Sequence, residues 1–277
     1  MAGSIPVSDR RRGRIREEER AAVLRVSTVD SELVGKTARI ALNRPEALNC
    51  VSPATVRDLS SALTAAADDR DVNIIVITGR GRAFCSGVDL SELSRDAITA
   101  DDFVAWEAVL SLCEEVPKPV ICGIHGYCLG AGLQLALACD VRVSATDAIF
   151  GMTAVQECLV PALGVWRLPR YVGMGAAKRM VLACERLDAK QALALAMVDY
   201  VVEPAQLEAQ LSELVSRFDG MARTSFKHSK RLLNHAFDFD HAQALSSFLE
   251  AEMDCLQSPE HAEASAAWRE KRAPRYA

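Results

Sequence analysis

At 277 residues the chain is long enough for one large domain, or for a domain with a small appendage. Half of its residues are hydrophobic and a quarter charged, which excludes a largely disordered, collagen-like or fibrous chain. The 32 basic and 37 acidic side chains leave a net charge of −5, which argues against broad binding to a nucleic-acid backbone, and no run of about 18 uncharged apolar residues marks a membrane span.

Residues 1–20 differ from the rest. Arg10, Arg11, Arg12, Arg14, Arg16 and Arg20 stand beside Glu17, Glu18 and Glu19. Transit peptides are poor in acids, and no apolar segment of the secretory kind follows, so this stretch reads as a flexible, solvated leader. From residue 21 the pattern becomes regular. AAVLRV and TARIALN read as two strands of a hairpin around Gly35. Ser52 is a candidate N-cap and Pro53 a first helical residue for the helical spacing that runs to Asp69. VNIIVITG, a continuous apolar run of strand length, suits a strand buried on both faces. A helix is expected near 101–115, then the strand KPVICGI, a short apolar helix in GAGLQLALACD, a strand in VRVSAT, and several helices over 175–196. Two or three long amphipathic helices are expected from Pro204 nearly to the C-terminus.

Strands alternating with helices imply βαβ units and a mostly parallel sheet, an α/β fold. The expected organisation is a leader (1–20), a core (21–203) and a helical region (204–277) too small for a large core of its own. The nine cysteines are odd in number, scattered and without CxxC spacing. They read as mostly buried free thiols of a reducing, cytoplasmic compartment. No Cys/His cluster suggests a metal.

Two glycine turns stand out. In TGRGRAFCSGVDLSEL a strand ends at Gly79, and Gly87 lets the backbone bend before Val88. In HGYCLGAGLQLALACD a strand ends at Ile124, and Gly130-Ala131-Gly132 opens a helix whose first N–H groups suit a developing oxyanion. Glycine is common in strand-to-helix turns of any function, so each turn alone decides little. Neither GxGxxG at a helix start nor GxxxxGK[ST] is present.

Taken in order, LNRPEALNCVS (42–52), TGRGRAFCSGVDLSEL (78–93), IHGYCLGAGLQLALACDVRV (124–143), FGMTAVQECLVPALGVWRLPRYVG (150–173) and AAWREKRAPRY (266–276) resemble the crotonase, or enoyl-CoA hydratase/isomerase, superfamily. The likeness covers about 22–277. It implies a spiral of βαβ units with a helical C-terminal region that forms homotrimers or hexamers. It also implies an acyl group carried as a coenzyme A thioester, with no further cofactor. The backbone N–H groups at Val88 and Ala131 match the family's oxyanion donors. Ala83, Phe84, Ser86, Val88, Asp89 and Leu90 fall in the loop that holds coenzyme A. Trp268 and Lys271 match residues that approach a neighbouring subunit's ligand.

The chain departs from the hydratase pattern at both acid–base positions. The first glutamate position is Gln134 and the second, three residues beyond Gly151, is Ala154. Glutamine orients polar groups but exchanges no proton near neutrality, and alanine does neither. Losing a general acid or base costs about 10²–10⁴-fold. Glu157, one turn beyond Ala154 in a helical segment, is the candidate replacement. An aspartate device used by other relatives is absent, since Ala162 stands there. The reading favours isomerase or other enolate chemistry over standard hydration, with a non-catalytic acyl-CoA-binding homologue as the alternative.

Overall fold

The computed structural model describes residues 27–95 and 97–276. The leader and the AAVLRV segment lie outside them. The partner of TARIAL in the hairpin is instead VDSELV: β1 (Val29–Val34) runs antiparallel to β2 (Thr37–Leu42), with Gly35 at φ 61° in the turn. β1 was hard to see because it is an edge strand whose last four residues are exposed. It therefore needs no apolar run.

Ser52 caps α1 (Pro53–Asp68), its hydroxyl accepting from the Thr55 N–H, as the Ser-Pro start predicts. β3 (Ile74–Gly79) leads to α2 (Leu90–Leu93) and α3 (Ala100–Glu115). β4 (Val120–Ile124), β5 (Tyr127–Leu129), α4 (Ala131–Ala138), β6 (Val141–Ala145) and β7 (Ile149–Gly151) follow in quick succession. The helical run α5 (Gly164–Leu182) starts earlier than the sequence pattern suggests and is broken at Gly173, φ 73°. It is followed by β8 (Leu187–Asp188), α6 (Ala189–Ala194) and β9 (Tyr200–Val202). Four helices close the chain: α7 (Leu207–Asp219), α8 (Arg223–Asn234), α9 (His241–Gln257) and α10 (Pro259–Glu270).

Six strands form one sheet in the order β1-β2-β3-β4-β6-β9, parallel except for β1, and β5-β7-β8 form a second. In β3, alternate residues serve two faces. Ile75 and Ile77 meet Leu59 and Leu63 of α1 and Leu110 of α3 in the main core. Ile74 and Val76 face the other way, with Ile121 and Val143, and are covered by Leu211 and Leu214 of α7. Burying each of those leucines contributes about 2 kcal/mol. The first C-terminal helix thus completes the core. α8 is tied to the core through Lys230, whose buried Nζ donates to the Cys113 and Lys118 carbonyls and to Asp140 Oδ2 at 2.8, 3.1 and 2.7 Å. The α/β class and its helical C-terminal region stand as the sequence implies.

Parallel strands end together, so the loops leaving their carboxyl ends gather at one rim of the sheet. The first glycine turn follows β3; the second follows β5, a short strand of the second sheet that occupies residues the sequence reads as loop, separated by two residues from β4.

Candidate active site

The first turn is built on pairings around residue 88. The Val51 N–H donates to Gly87 O at 2.7 Å and the Asp89 N–H donates to Val51 O at 2.8 Å. Backbone groups alternate in direction along an extended segment, so the Val88 N–H between them points away from Val51. Gly87 makes this possible with φ 113°. Asp89 anchors the turn from within. Its Oδ1 accepts from Ser91 Oγ at 2.7 Å and caps α2, while Oδ2 pairs with Arg44 at 2.9 Å. Burial pushes the Asp89 carboxyl upward, but hydrogen bonds from Ser91, Arg44, Cys50 and the Glu92 backbone hold it well below the usual carboxylate range.

The second turn abuts the first. The stretch around Cys85 pairs with β5 through Cys85 N–H to Tyr127 O and Leu129 N–H to Cys85 O, both 2.9 Å. Gly130, at φ 49°, is the N-cap of α4; a Cβ there would lie 3.5 Å from the Gly87 Cα. Gly132 is required by space, because a Cβ would sit 2.4 Å from the Cys85 carbonyl oxygen. Ala131 is the first helical residue, so its N–H has no carbonyl one turn back. Among the described residues neither the Val88 nor the Ala131 N–H has an acceptor. Two adjacent free donors, one of them at a helix start, can hold a negative oxygen.

Both donors line a cavity of about 110 Å³, as do Gln134, Ala154, Glu157 and Ala162. The segment after β7 forms a 3₁₀ turn, Ala154–Glu157. Side chains three apart eclipse one another in that geometry, which puts Glu157 over the small Ala154. Glu157 is exposed and makes no hydrogen bond or ion pair among the described residues. Gln134 is the one polar side chain of α4 and is buried. Its Oε1 accepts from Trp106 Nε1 at 3.3 Å, and its Nε2 donates to the Pro161 carbonyl at 3.2 Å.

Sequence reasoning missed Asp102 and Trp106, both on α3 and both in the lining. The Trp106 signal lay in its indole N–H, which needs an acceptor when buried. Asp102 Oδ2 accepts from the Thr99 N–H and hydroxyl at 2.8 and 2.9 Å, closing a capping box. Those bonds hold its carboxyl below the usual range and make it a poor base. No His, Lys or Arg is among the described lining residues.

The other candidates divide. Ser86 and Leu90 line the cavity with Val88, whereas the Ala83 and Phe84 side chains are fully buried in the core and Asp89 is turned inward. Trp268 is 83% exposed, and neither it nor Lys271 lines the cavity of its own chain. Trp166, outside the lining, stacks under the Arg170 guanidinium at 3.4 Å. His125 bonds Gly81 O at 3.0 Å and His228 bonds Asp254 at 3.1 Å, both structural uses. All nine cysteines are free thiols, six of them buried. Burial pushes the Cys85 thiol up to about 12. Among the described residues no helix is long and apolar enough to cross a membrane.

A family model described as enoyl-CoA hydratase/isomerase matches residues 34–277. The short-chain-enoyl-CoA hydratase of Clostridium acetobutylicum is 31% identical over 253 residues, covering 90% of this chain and 97% of that protein. The crotonyl-CoA hydratase of Syntrophomonas wolfei is 32% identical over 241 residues, covering 86% and 93%. The crystal structure of an enoyl-CoA hydratase from Bacillus anthracis matches with a TM-score of 0.84 at 28% identity, over 90% of this chain and 98% of that one. One from Mycobacterium smegmatis does so at 0.85, also 28% identical and with the same shares. The chain belongs to the enoyl-CoA hydratase/isomerase family of the crotonase superfamily.

Proposed function

We propose that this chain is an enzyme acting on an acyl or enoyl thioester of coenzyme A, by enolate chemistry that needs only one mobile proton carrier. The observation that carries the reading is the placement of Glu157, an unengaged carboxylate in the same cavity as the free Val88 and Ala131 N–H groups. The thioester oxygen accepts from those two donors. Glu157 takes a proton from the carbon next to the thioester carbonyl, and the electron pair moves onto the oxygen, where the donors stabilise it. In a 3-enoyl thioester the resulting dienolate takes the proton back two carbons further along. The double bond moves into conjugation and Glu157 is a carboxylate again.

Hydration makes a harder demand, because water must lose a proton while the adjacent carbon gains one. With Gln134 and Ala154 at the paired positions, no second carrier flanks Glu157. Coenzyme A is part of the substrate and no further cofactor enters the scheme. The buried Ala83 and Phe84 fit a loop that supports the ligand through its backbone, and Ser86, Val88 and Leu90 fit one that touches it.

The test assays a 3-enoyl-CoA and crotonyl-CoA with the wild type and Glu157→Gln. Isomerisation should exceed hydration in the wild type, and Glu157→Gln should lower isomerisation about 10²-fold with ligand affinity within about twofold. Tight binding without any turnover would establish the non-catalytic acyl-CoA-binding alternative. Brisk hydration that survives Glu157→Gln would refute the assignment of Glu157.

A further inference from the structure

Asn49 is 1% exposed and lies just before Val51, the residue that pairs with both neighbours of Val88. Both ends of its amide are used. Oδ1 accepts from the Arg44 N–H at 2.8 Å, and Nδ2 donates to the Arg80 and Ala83 carbonyls at 2.9 and 2.8 Å. A main-chain N–H only donates and a carbonyl only accepts, so one orientation of the amide satisfies all three. No other described group donates to either carbonyl. The backbone is held in the left-handed region to make these bonds, with Leu48 at φ 50° and Asn49 at φ 56°. Asparagine tolerates that conformation and leucine does not favour it, so the surroundings must over-determine it.

These bonds join the two segments that decide where the Val88 N–H points. Residues 44–51 form a wall along the first glycine turn. The Ser86 N–H donates to Leu48 O at 3.0 Å, the Val51 N–H to Gly87 O at 2.7 Å and the Asp89 N–H to Val51 O at 2.8 Å. On the other side the second turn presses in. The Phe84 N–H donates to His125 O at 2.8 Å, and a Cβ on Gly126 would lie 2.0 Å from Arg82 O. Among the described hydrogen bonds, Asn49 alone ties the wall to the bend at 80–83. Without it both carbonyls lose their donor, at a cost the bend lowers only by moving, and residues 84–88 follow directly in the chain. Resting on the thioester reading above, we infer that Asn49 is a positioning residue, whose amide fixes the bend that aims the Val88 N–H at the thioester oxygen. It touches no substrate. Its effect falls on a charged, enolate-like oxygen more than on a neutral one, because a misaimed donor loses most where charge develops.

Acetoacetyl-CoA separates those two oxygens. As the ketone it offers a neutral oxygen, and on losing a C2 proton to the buffer it becomes an enolate with its own ultraviolet absorption. A pH titration of the bound ligand gives its ionisation constant, and calorimetry with butyryl-CoA gives the affinity for a neutral thioester. In the wild type, bound acetoacetyl-CoA should ionise at least about tenfold more readily than the free ligand. Asn49→Gly keeps the positive φ and deletes the amide, while Asn49→Asp keeps its shape and turns both donors into an acceptor. Each should cut that ionisation constant about tenfold, with butyryl-CoA affinity within about threefold of wild type. A wild-type constant in both variants would overturn the inference and leave the thioester reading standing. An effect confined to Asn49→Asp would overturn it too, by assigning the change to the added charge. Loss of butyryl-CoA binding in both variants would overturn it by assigning Asn49 to the fold as a whole. A wild type that binds neither ligand, or binds acetoacetyl-CoA without easing its ionisation, would overturn the thioester reading and this inference with it.

Discussion

A glutamate in place of Gln134 would change more than one proton. A carboxylate at position 134 would keep the Trp106 donor on one oxygen but turn the other toward the Pro161 carbonyl, acceptor against acceptor. The folded state relieves that conflict by keeping such a carboxyl protonated, which raises its pKa above the unfolded value. A raised acid pKa stabilises the fold at low pH and costs stability as pH rises through the unfolded value toward the folded one. Gln134→Glu should therefore lose stability relative to the wild type between about pH 4 and pH 8. Urea midpoints across that range are the measurement, and a difference independent of pH would show that the loop carrying Pro161 yields instead. Combined with Ala154→Glu, the variant should hydrate crotonyl-CoA faster than the wild type, since both added carboxyls face the cavity. Hydration no faster than wild type would mean that charge alone is not what positions 134 and 154 withhold.

At the scale of elements, each glycine turn depends on a segment distant in sequence. Val88 is aimed by Val51, which lies just before α1, and by Asp89, which holds Arg44 from the loop after β2. Asp89 is an acid with a depressed pKa, so its contribution to stability is full above its unfolded value near 3.9 and is lost as pH falls through the folded one. Asp89→Asn should be less stable than the wild type at pH 6 by about 2 kcal/mol. The gap should narrow as pH falls toward 2, read from denaturant midpoints. A gap constant with pH would show that shape, not charge, anchors the turn. On the far side of the cavity a buried guanidinium does comparable work. Arg167 on α5 bonds both Glu107 and Glu114 of α3, at 2.7 Å to Glu114 Oε1, and so clamps the helix bearing Trp106 to the one following Pro161. Its charge is kept by the two carboxylates, although burial opposes it.

For the whole molecule, the C-terminal helices divide in function. α7 covers the second face of the sheet, while α9 leaves Phe248, Leu249, Met253 and Leu256 in the open and α10 leaves Trp268. Scattered apolar residues are ordinary on a surface, but a run of large ones on one helix marks a face that another surface covers. The chain should assemble through this region into a homotrimer or hexamer at micromolar concentration, measured by sedimentation or light scattering. Neither Trp268 nor Lys271 lines the cavity of its own chain, which fits an approach to a neighbouring subunit's ligand in such an assembly. A monomer at that concentration would remove the basis for placing those two residues at a coenzyme A.

The sequence by itself determined the elements whose signals are local. Ser52-Pro53 at a helix start, the unbroken apolar run of β3 and the glycines at 87, 130 and 132 each follow from the conformation of a few adjacent residues. So did the family, because its motifs are short, ordered and conserve backbone geometry. The edge strand β1 was misplaced because exposure removes the apolar pattern that marks a strand. What only the tertiary structure decided depends on partners far apart in the chain. Position 134 shows as a missing glutamate in sequence, but Trp106, 28 residues before it, and Pro161, 27 after, turn it into a fixed amide. Glu157 was the candidate replacement from its place one turn beyond Ala154, and the 3₁₀ turn puts it in the lining of the cavity that Val88 and Ala131 share. Asp102 lay unnoticed because helix capping and cavity lining are chosen by the direction of a side chain. That direction is set by packing, not by neighbours in sequence.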